Sequence, residues 1–157
     1  MTELALHGFH QRLAARFAEI NGLEVVDHYG NAPNEHAALR EAAGVLDLSF
    51  RSRLCLTGAD RSRFLHGQVT NDGNQLRAGE GCYAAIVTAK GKIESDVYVW
   101  CLEDALLLDF ERGLTEKIAA RIEKYVIADD VQIEDASGTY AMFTVQGPAA
   151  SPPPHVG

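Results

Sequence analysis

Tyr83 and Asp96 are the two side chains in this sequence best placed to do chemistry together. They lie in the run from Gly81 to Cys101, two alternating segments joined at Lys90-Gly91. A two-residue loop there sets Ala89 opposite Lys92, Ala85 opposite Asp96 and Tyr83 opposite Tyr98, because loop length fixes register. Alternation then puts Ile86, Ile93, Val97, Val99 and Cys101 on a core face, and Tyr83, Glu94, Asp96, Tyr98 and Trp100 on the other. On that second face Tyr83 and Asp96 are diagonal neighbours. A carboxylate among aromatic rings suits a polar heterocycle with a positive centre. The same residues would also serve as a wet outer face carrying a cross-strand aromatic ladder.

The elements that must hold this pair come from a chain of 157 residues, 46% hydrophobic, long enough for a real core. A net charge of -8 argues against nucleic acid or an anionic membrane as a partner. Arg51, Arg53, Arg61 and Arg63 read as a solvated edge. Cys55, Cys82 and Cys101 show no C-x-x-C spacing and read as reduced core residues. No basic segment precedes an apolar stretch at the N-terminus, and no run of 18 apolar residues occurs, so a soluble cytoplasmic protein is expected. The six histidines make no zinc-binding helix pair, His28 and His36 read as structural, and no metal site is expected. Neither a phosphate-binding loop nor a G-x-S-x-G elbow is present.

Taken in order, Leu6, Phe9, Leu13, Phe17 and Ile20 recur at helical steps, which predicts a helix over Leu4–Ile20 ended by Asn21-Gly22. A short strand over Leu23–Asp27 follows, then a helix over Asn34–Ala43 capped by Asn34 and ended by Gly44. Val45–Leu56 reads as extended, Arg61–Gln68 as a short helix capped by Asp60 and burying Phe64 and Leu65, and Thr70–Asn74 as a loop. After the hairpin come a buried strand over Ala105–Glu111, a helix over Thr115–Tyr125 capped by Thr115, and strands over Val131–Glu134 and Thr139–Val145.

The order strand, helix, strand, strand, strand, helix, strand predicts an α+β fold. It corresponds to a ferredoxin-like split βαβ sheet with one extra strand and the antiparallel hairpin at its centre. Residues 45–135 form that unit; 1–44 with 136–150 form part of an incomplete first domain; 151–157, with three prolines, is a disordered tail.

Three stretches together resemble the T-protein family, the aminomethyltransferases of the glycine cleavage system and their folate-binding relatives. The first runs His28-Tyr29-Gly30, Glu35-His36, Leu39-Arg40 and Gly44-Val45-Leu46-Asp47-Leu48-Ser49. The second is Phe64-Leu65-His66-Gly67-Gln68-Val69-Thr70-Asn71-Asp72, leading through Leu76 and Gly79 to Tyr83. The third is Lys90-Gly91-Lys92-Ile93-Glu94-Ser95-Asp96, with Val145-Gln146-Gly147-Pro148 downstream. The resemblance covers about residues 23 to 149 and implies a tetrahydrofolate site. Asp96 matches the second Asp of the family's Gly-Gly-x-x-Asp-Asp-Leu run, Ser95 replacing the first, and is the implied catalytic residue. Tyr83 and Phe50 are implied folate contacts with it. A fixed carboxylate there would stabilise the positive charge that develops as an aminomethyl group moves.

The second stretch, Lys90-Gly91-Lys92 and Tyr125–Val131 look more like the folate-binding branch that supports iron-sulfur cluster assembly and tRNA modification. That branch carries a Lys-Gly-Cys-Tyr-x-Gly-Gln run in a second half that lies outside this sequence. The implied partners are folate and either a lipoyl carrier or an iron-sulfur protein, with a monomer expected at full length. Three functions stay open: a folate-dependent aminomethyltransferase-like unit, a non-catalytic folate-binding accessory protein, and an inactive fragment.

Overall fold

In the computed structural model residues 2–151 are described, so the expected disordered tail falls, from position 152, outside the described residues. The chain forms two compact units. One is Arg51–Thr139; the other is the chain before Arg51 with the segment from Tyr140 onward.

The helix expected over Leu4–Ile20 is only α1 (His7–Arg12). The chain leaves helical geometry at Ala14, where φ is 61°, and returns as β1 (Arg16–Ile20), antiparallel to β2 (Leu23–His28). Asn21 and Gly22, with φ of 49° and 80°, form the two-residue hairpin loop between them and do not end a helix. Pairing with β2 satisfies the β1 backbone, and Phe17 stacks on His7 with ring centroids 4.6 Å apart. The helical spacing of Phe17 and Ile20 is overridden by these tertiary contacts.

The next helix, α2 (Ala32–Glu41), is capped by Asn31, whose side chain accepts the Asn34 N–H at 3.1 Å. Gly44 does not terminate it but opens β3 (Gly44–Asp47), which pairs antiparallel with Phe143–Gln146, Val45 opposite Val145. Residues 45–50 therefore belong with the N-terminal unit, not with the sheet unit expected to begin at 45. Their backbone partners come from the far end of the chain.

The second unit runs β4 (Ser52–Thr57), α3 (Arg61–His66), a 3-10 turn at Gly73–Gln75, β5 (Gly81–Val87), β6 (Ile93–Cys101), β7 (Leu106–Phe110), α4 (Thr115–Glu123) and β8 (Gln132–Asp135). The strand over Phe143–Gln146, already met beside β3, is β9. The second unit's sheet has the order β5-β6-β7-β4-β8, each neighbouring pair antiparallel. The hairpin β5–β6 is thus at an edge of the sheet and not at its centre. The central strand is β7, where every residue from Leu106 to Phe110 is buried.

One face of the sheet, with Leu54, Leu56, Ala84, Ile86, Val97, Val99, Leu106, Leu108 and Phe110, packs against Phe64 and Leu65 of α3 and Ile118 and Ile122 of α4. The caps differ from expectation. Asp60 spends its carboxylate on the Asp130 N–H at 2.9 Å and on Arg63, and Thr115 donates its hydroxyl to Ser52 at 2.8 Å.

Along the hairpin the expected register holds from Gly81 to Ile86, with Tyr83 opposite Tyr98 and Ala85 opposite Asp96. It then slips by one residue, so that Val87 meets Ile93 and the tip closes through Thr88, whose N–H donates to Lys92 O at 2.8 Å. A one-residue slip reverses the faces beyond it. Ile93, expected in the core, is 65% exposed, and Glu94 leaves the aromatic face to pair with Arg121 of α4 at 3.3 Å. The outer edge of β5 is covered by the polar stretch before it. Thr70 exchanges hydrogen bonds with the Ala85 backbone, and Asn71 Nδ2 donates to Tyr83 O at 2.9 Å.

Candidate functional site

The outer face of the hairpin brings Tyr83 and Asp96 together as the alternation predicts. The Tyr83 hydroxyl donates to Asp96 Oδ2 at 3.0 Å. Tyr83 and Tyr98 lie with centroids 4.9 Å apart, and Tyr98 and Trp100 are stacked within 14° at 6.2 Å. All three rings are exposed, Tyr83 by 55%. The shelf is possible because position 81 is glycine. It sits opposite Trp100, and a Cβ there would come within 2.6 Å of the indole ring. Hydrogen bonding to Asp96, followed by burial and the Asp96 charge, pushes the Tyr83 phenol above its ordinary pKa, with Arg51 pulling the other way. Tyr83 therefore stays a donor and Asp96 an acceptor, a pair able to bind the N–H edge of a flat heterocycle lying on the rings.

The same face continues into a charged array that sequence reasoning missed. The register places Tyr83, Tyr98, Asp109 and Arg53 in one row across β5, β6, β7 and β4. Asp109 is buried and pairs with Arg51 Nε at 2.5 Å and Arg53 Nε at 3.2 Å. Arg51 also reaches Glu111 at 4.0 Å. Burial raises the Asp109 pKa, against the pull of the two guanidiniums and with the push of Asp96. Arg51 and Arg53, with side chains 16% and 0% exposed, are therefore not the solvated edge that their charge suggested; Arg63, at 67%, is. The available signal was the strand period itself. Arg53 and Asp109 alternate with the core residues Leu54 and Leu108, and a buried charge on one strand requires its opposite on the next.

Phe50 is placed elsewhere, in the other unit, where it lines a cavity of about 500 Å3 with Ile20, Val25, Leu39 and Leu46. Tyr29 and Asp47 also line it and meet through His10: Asp47 accepts from His10 Nε2 at 2.8 Å, and Tyr29 OH lies 2.7 Å from Nδ1. His10 is 2% exposed, and the array ties α1 to the chain after β2 and to β3. Burial and the charges of Asp47 and Glu35 raise the Tyr29 pKa, so its hydroxyl stays protonated. His28 takes a structural place, accepting the Gly30 N–H at 2.8 Å. Among the described residues, no group of three or more His, Cys, Asp or Glu could hold a metal ion, and no helix is long and apolar enough to cross a membrane.

The family model described as the GCVT N-terminal domain matches residues 6–152. The chain belongs to this family. It is 31% identical over 155 residues to an aminomethyltransferase from Corynebacterium jeikeium, spanning 96% of this chain and 40% of that protein. It is 29% identical over 152 residues to one from Thermus thermophilus, spanning 96% and 44%. A putative chloroplastic transferase of Arabidopsis thaliana is 27% identical over 146 residues, covering 92% of this chain and 34% of the plant protein. The GCVT-family chain thus spans less than half the length of these curated relatives. Its fold is that of the glycine cleavage system aminomethyltransferase T from Bartonella henselae, with a TM-score of 0.76 at 23% identity, over 94% of this chain and 41% of that one.

Proposed function

We propose that the outer face of the five-stranded sheet binds tetrahydrofolate, and that Asp96 is the residue through which a full-length protein with this face supports aminomethyl transfer. The observation that carries the reading is the hydrogen bond from Tyr83 to Asp96 at the edge of a shelf of exposed aromatic rings. The residues fit the group. Flat rings offer a stacking surface, and a fixed carboxylate offers an acceptor for ring N–H groups.

Each residue then has a distinct task. Tyr98 and Trp100 bind the planar body, Tyr83 holds Asp96 in one rotamer by its hydrogen bond, and Asp96 sets a negative charge where positive charge develops on the transferred group. The folate itself supplies the nitrogen that accepts the one-carbon unit. Phe50 enters this reading through the family resemblance, as an apolar wall of the cavity in its own unit. The sheet order, with β4 between β7 and β8 and both helices on one face, supports a ferredoxin-like split βαβ unit extended by β5.

Titration with tetrahydrofolate followed by amide and indole NMR shifts tests the reading. Shifts should concentrate on Tyr83, Asp96, Tyr98 and Trp100; shifts scattered over the molecule, or none at millimolar ligand, would reject it. Binding at this face, coupled with absent transfer in a full-length homologue bearing the same residues, would instead favour the folate-binding accessory role.

A further inference from the structure

We propose that Thr70 and Asn71 are positioning residues of this site, forming a clamp on the outer edge of β5 that keeps Tyr83 on the face where Asp96 meets it. The inference rests on the folate-binding reading above and deepens it. The stretch from His66 to Asp72 is one of the runs that carry the family resemblance, and the folate reading gives none of its side chains a task. Its place in the fold supplies one. Val69 bridges antiparallel to Ile86, the Thr70 N–H donates to Ala85 O at 3.0 Å, and Thr70 Oγ1 accepts the Ala85 N–H at 2.9 Å. Asn71 Nδ2 donates to Tyr83 O at 2.9 Å, while its Oδ1 accepts the Asp72 N–H at 2.8 Å. These two backbone partners, one an acceptor and one a donor, fix which way the amide points.

The clamped positions are those that set the site. Tyr83 supplies the hydroxyl that binds Asp96, and Ala85 lies directly opposite Asp96 in the hairpin register. β5 is an edge strand, paired with a strand of its sheet on one side only, and its register slips by one residue immediately after Ile86. The same slip at Tyr83 would turn the phenol to the core face, away from the carboxylate. The clamp opposes that slip from the open edge. It is itself anchored, because Gln68 and Val69 donate backbone N–H groups to Leu65 O at 2.8 and 3.2 Å, and Leu65 is fully buried in the core. Asp72, next along, accepts the Asn74 N–H at 3.0 Å and the Gln75 side-chain amide at 2.6 Å, and pairs with His66 at 3.1 Å, which closes the loop on itself. Thr70 and Asn71 thus act on the ligand through Tyr83.

Asn71→Ala removes the donor to Tyr83 O. On the purified chain the Tyr83 phenol should then titrate lower, read by ultraviolet difference absorbance against a Tyr83→Phe control, since its largest perturbation is the bond to Asp96. Tetrahydrofolate, followed by quenching of Trp100, the sole tryptophan, should bind about three- to tenfold more weakly, the effect of one hydrogen bond. In a Tyr83→Phe background, which has no hydroxyl to position, Asn71→Ala should change affinity by less than about twofold. Thr70→Val keeps the side-chain shape but removes the acceptor of the Ala85 N–H, and it should lower the Tyr83 titration too. That variant decides the matter if Asn71→Ala fails to fold. Losses that simply add in the double variant, or a Tyr83 titration unmoved by the clamp substitutions, would overturn the clamp and leave the folate reading standing. No binding of tetrahydrofolate to the wild type would overturn the folate reading and the clamp's role in binding with it.

Discussion

At the scale of single residues, the Tyr83–Asp96 hydrogen bond makes claims on both partners. Tyr83 should titrate above an ordinary tyrosine, since its largest perturbation is the bond to Asp96. In Asp96→Asn the phenol should titrate lower, read by ultraviolet difference absorbance against a Tyr83→Phe control; an unmoved titration would mean that the bond does not form in solution. In a full-length homologue with the same pair, Asp96→Asn should cut aminomethyl transfer by roughly 10²–10³ while sparing the fold, as expected for loss of one fixed electrostatic partner of a developing charge. This pair was legible in the sequence because register and alternation are simple functions of spacing. The Arg51–Asp109–Arg53 array was not: a charged residue read alone looks solvated, and only the pairing of β4 with β7 brings these charges together.

At the scale of elements, β7 is the strand on which the sheet depends. Leu108 is fully buried between Leu54 on one side and Val99 on the other. Leu108→Ala should destabilise the sheet unit by about 2–5 kcal/mol, the usual cost of a core leucine, measurable by urea unfolding. The link between α1 and β2 should depend on pH. Bonding to Glu24 at 2.7 Å raises the His7 pKa above its ordinary 6.5. A raised folded-state value means stabilisation that is complete below the unfolded pKa and lost as pH rises through the folded one. Amide exchange in β2 should accordingly quicken as pH climbs from about 6 toward 8, beyond the intrinsic pH effect, and His7→Gln should remove that excess. Elements failed to read from sequence where a local signal had two meanings. Asn21-Gly22 ends a helix as readily as it turns a hairpin, and the choice was made by the β1–β2 pairing. The bulge after Ile86 carries no signal of its own, and it moved Ile93 and Glu94 to the opposite faces.

At the scale of the whole molecule, the two units have unequal means of support. The sheet unit has five paired strands and a continuous core, whereas the other unit's sheets have two strands each, and Val45, Phe143 and Val145 on the β3–β9 pair are exposed. Two-stranded sheets are marginal alone. The slowest-exchanging amides should therefore lie in β4, β6 and β7, with β3 and β9 exchanging far faster; uniform protection would show that the units unfold together. Tyr83, Asp96, Tyr98 and Trp100, the face proposed to bind folate, lie on the better-supported unit. The most direct test is a titration of Trp100 fluorescence with tetrahydrofolate in the wild type and in Asp96→Asn. Saturable quenching, weakened about tenfold or more by the substitution, is the predicted result. Quenching of equal affinity in both proteins, or none up to millimolar ligand, would contradict the assignment of Asp96 and its aromatic shelf as the folate-binding face.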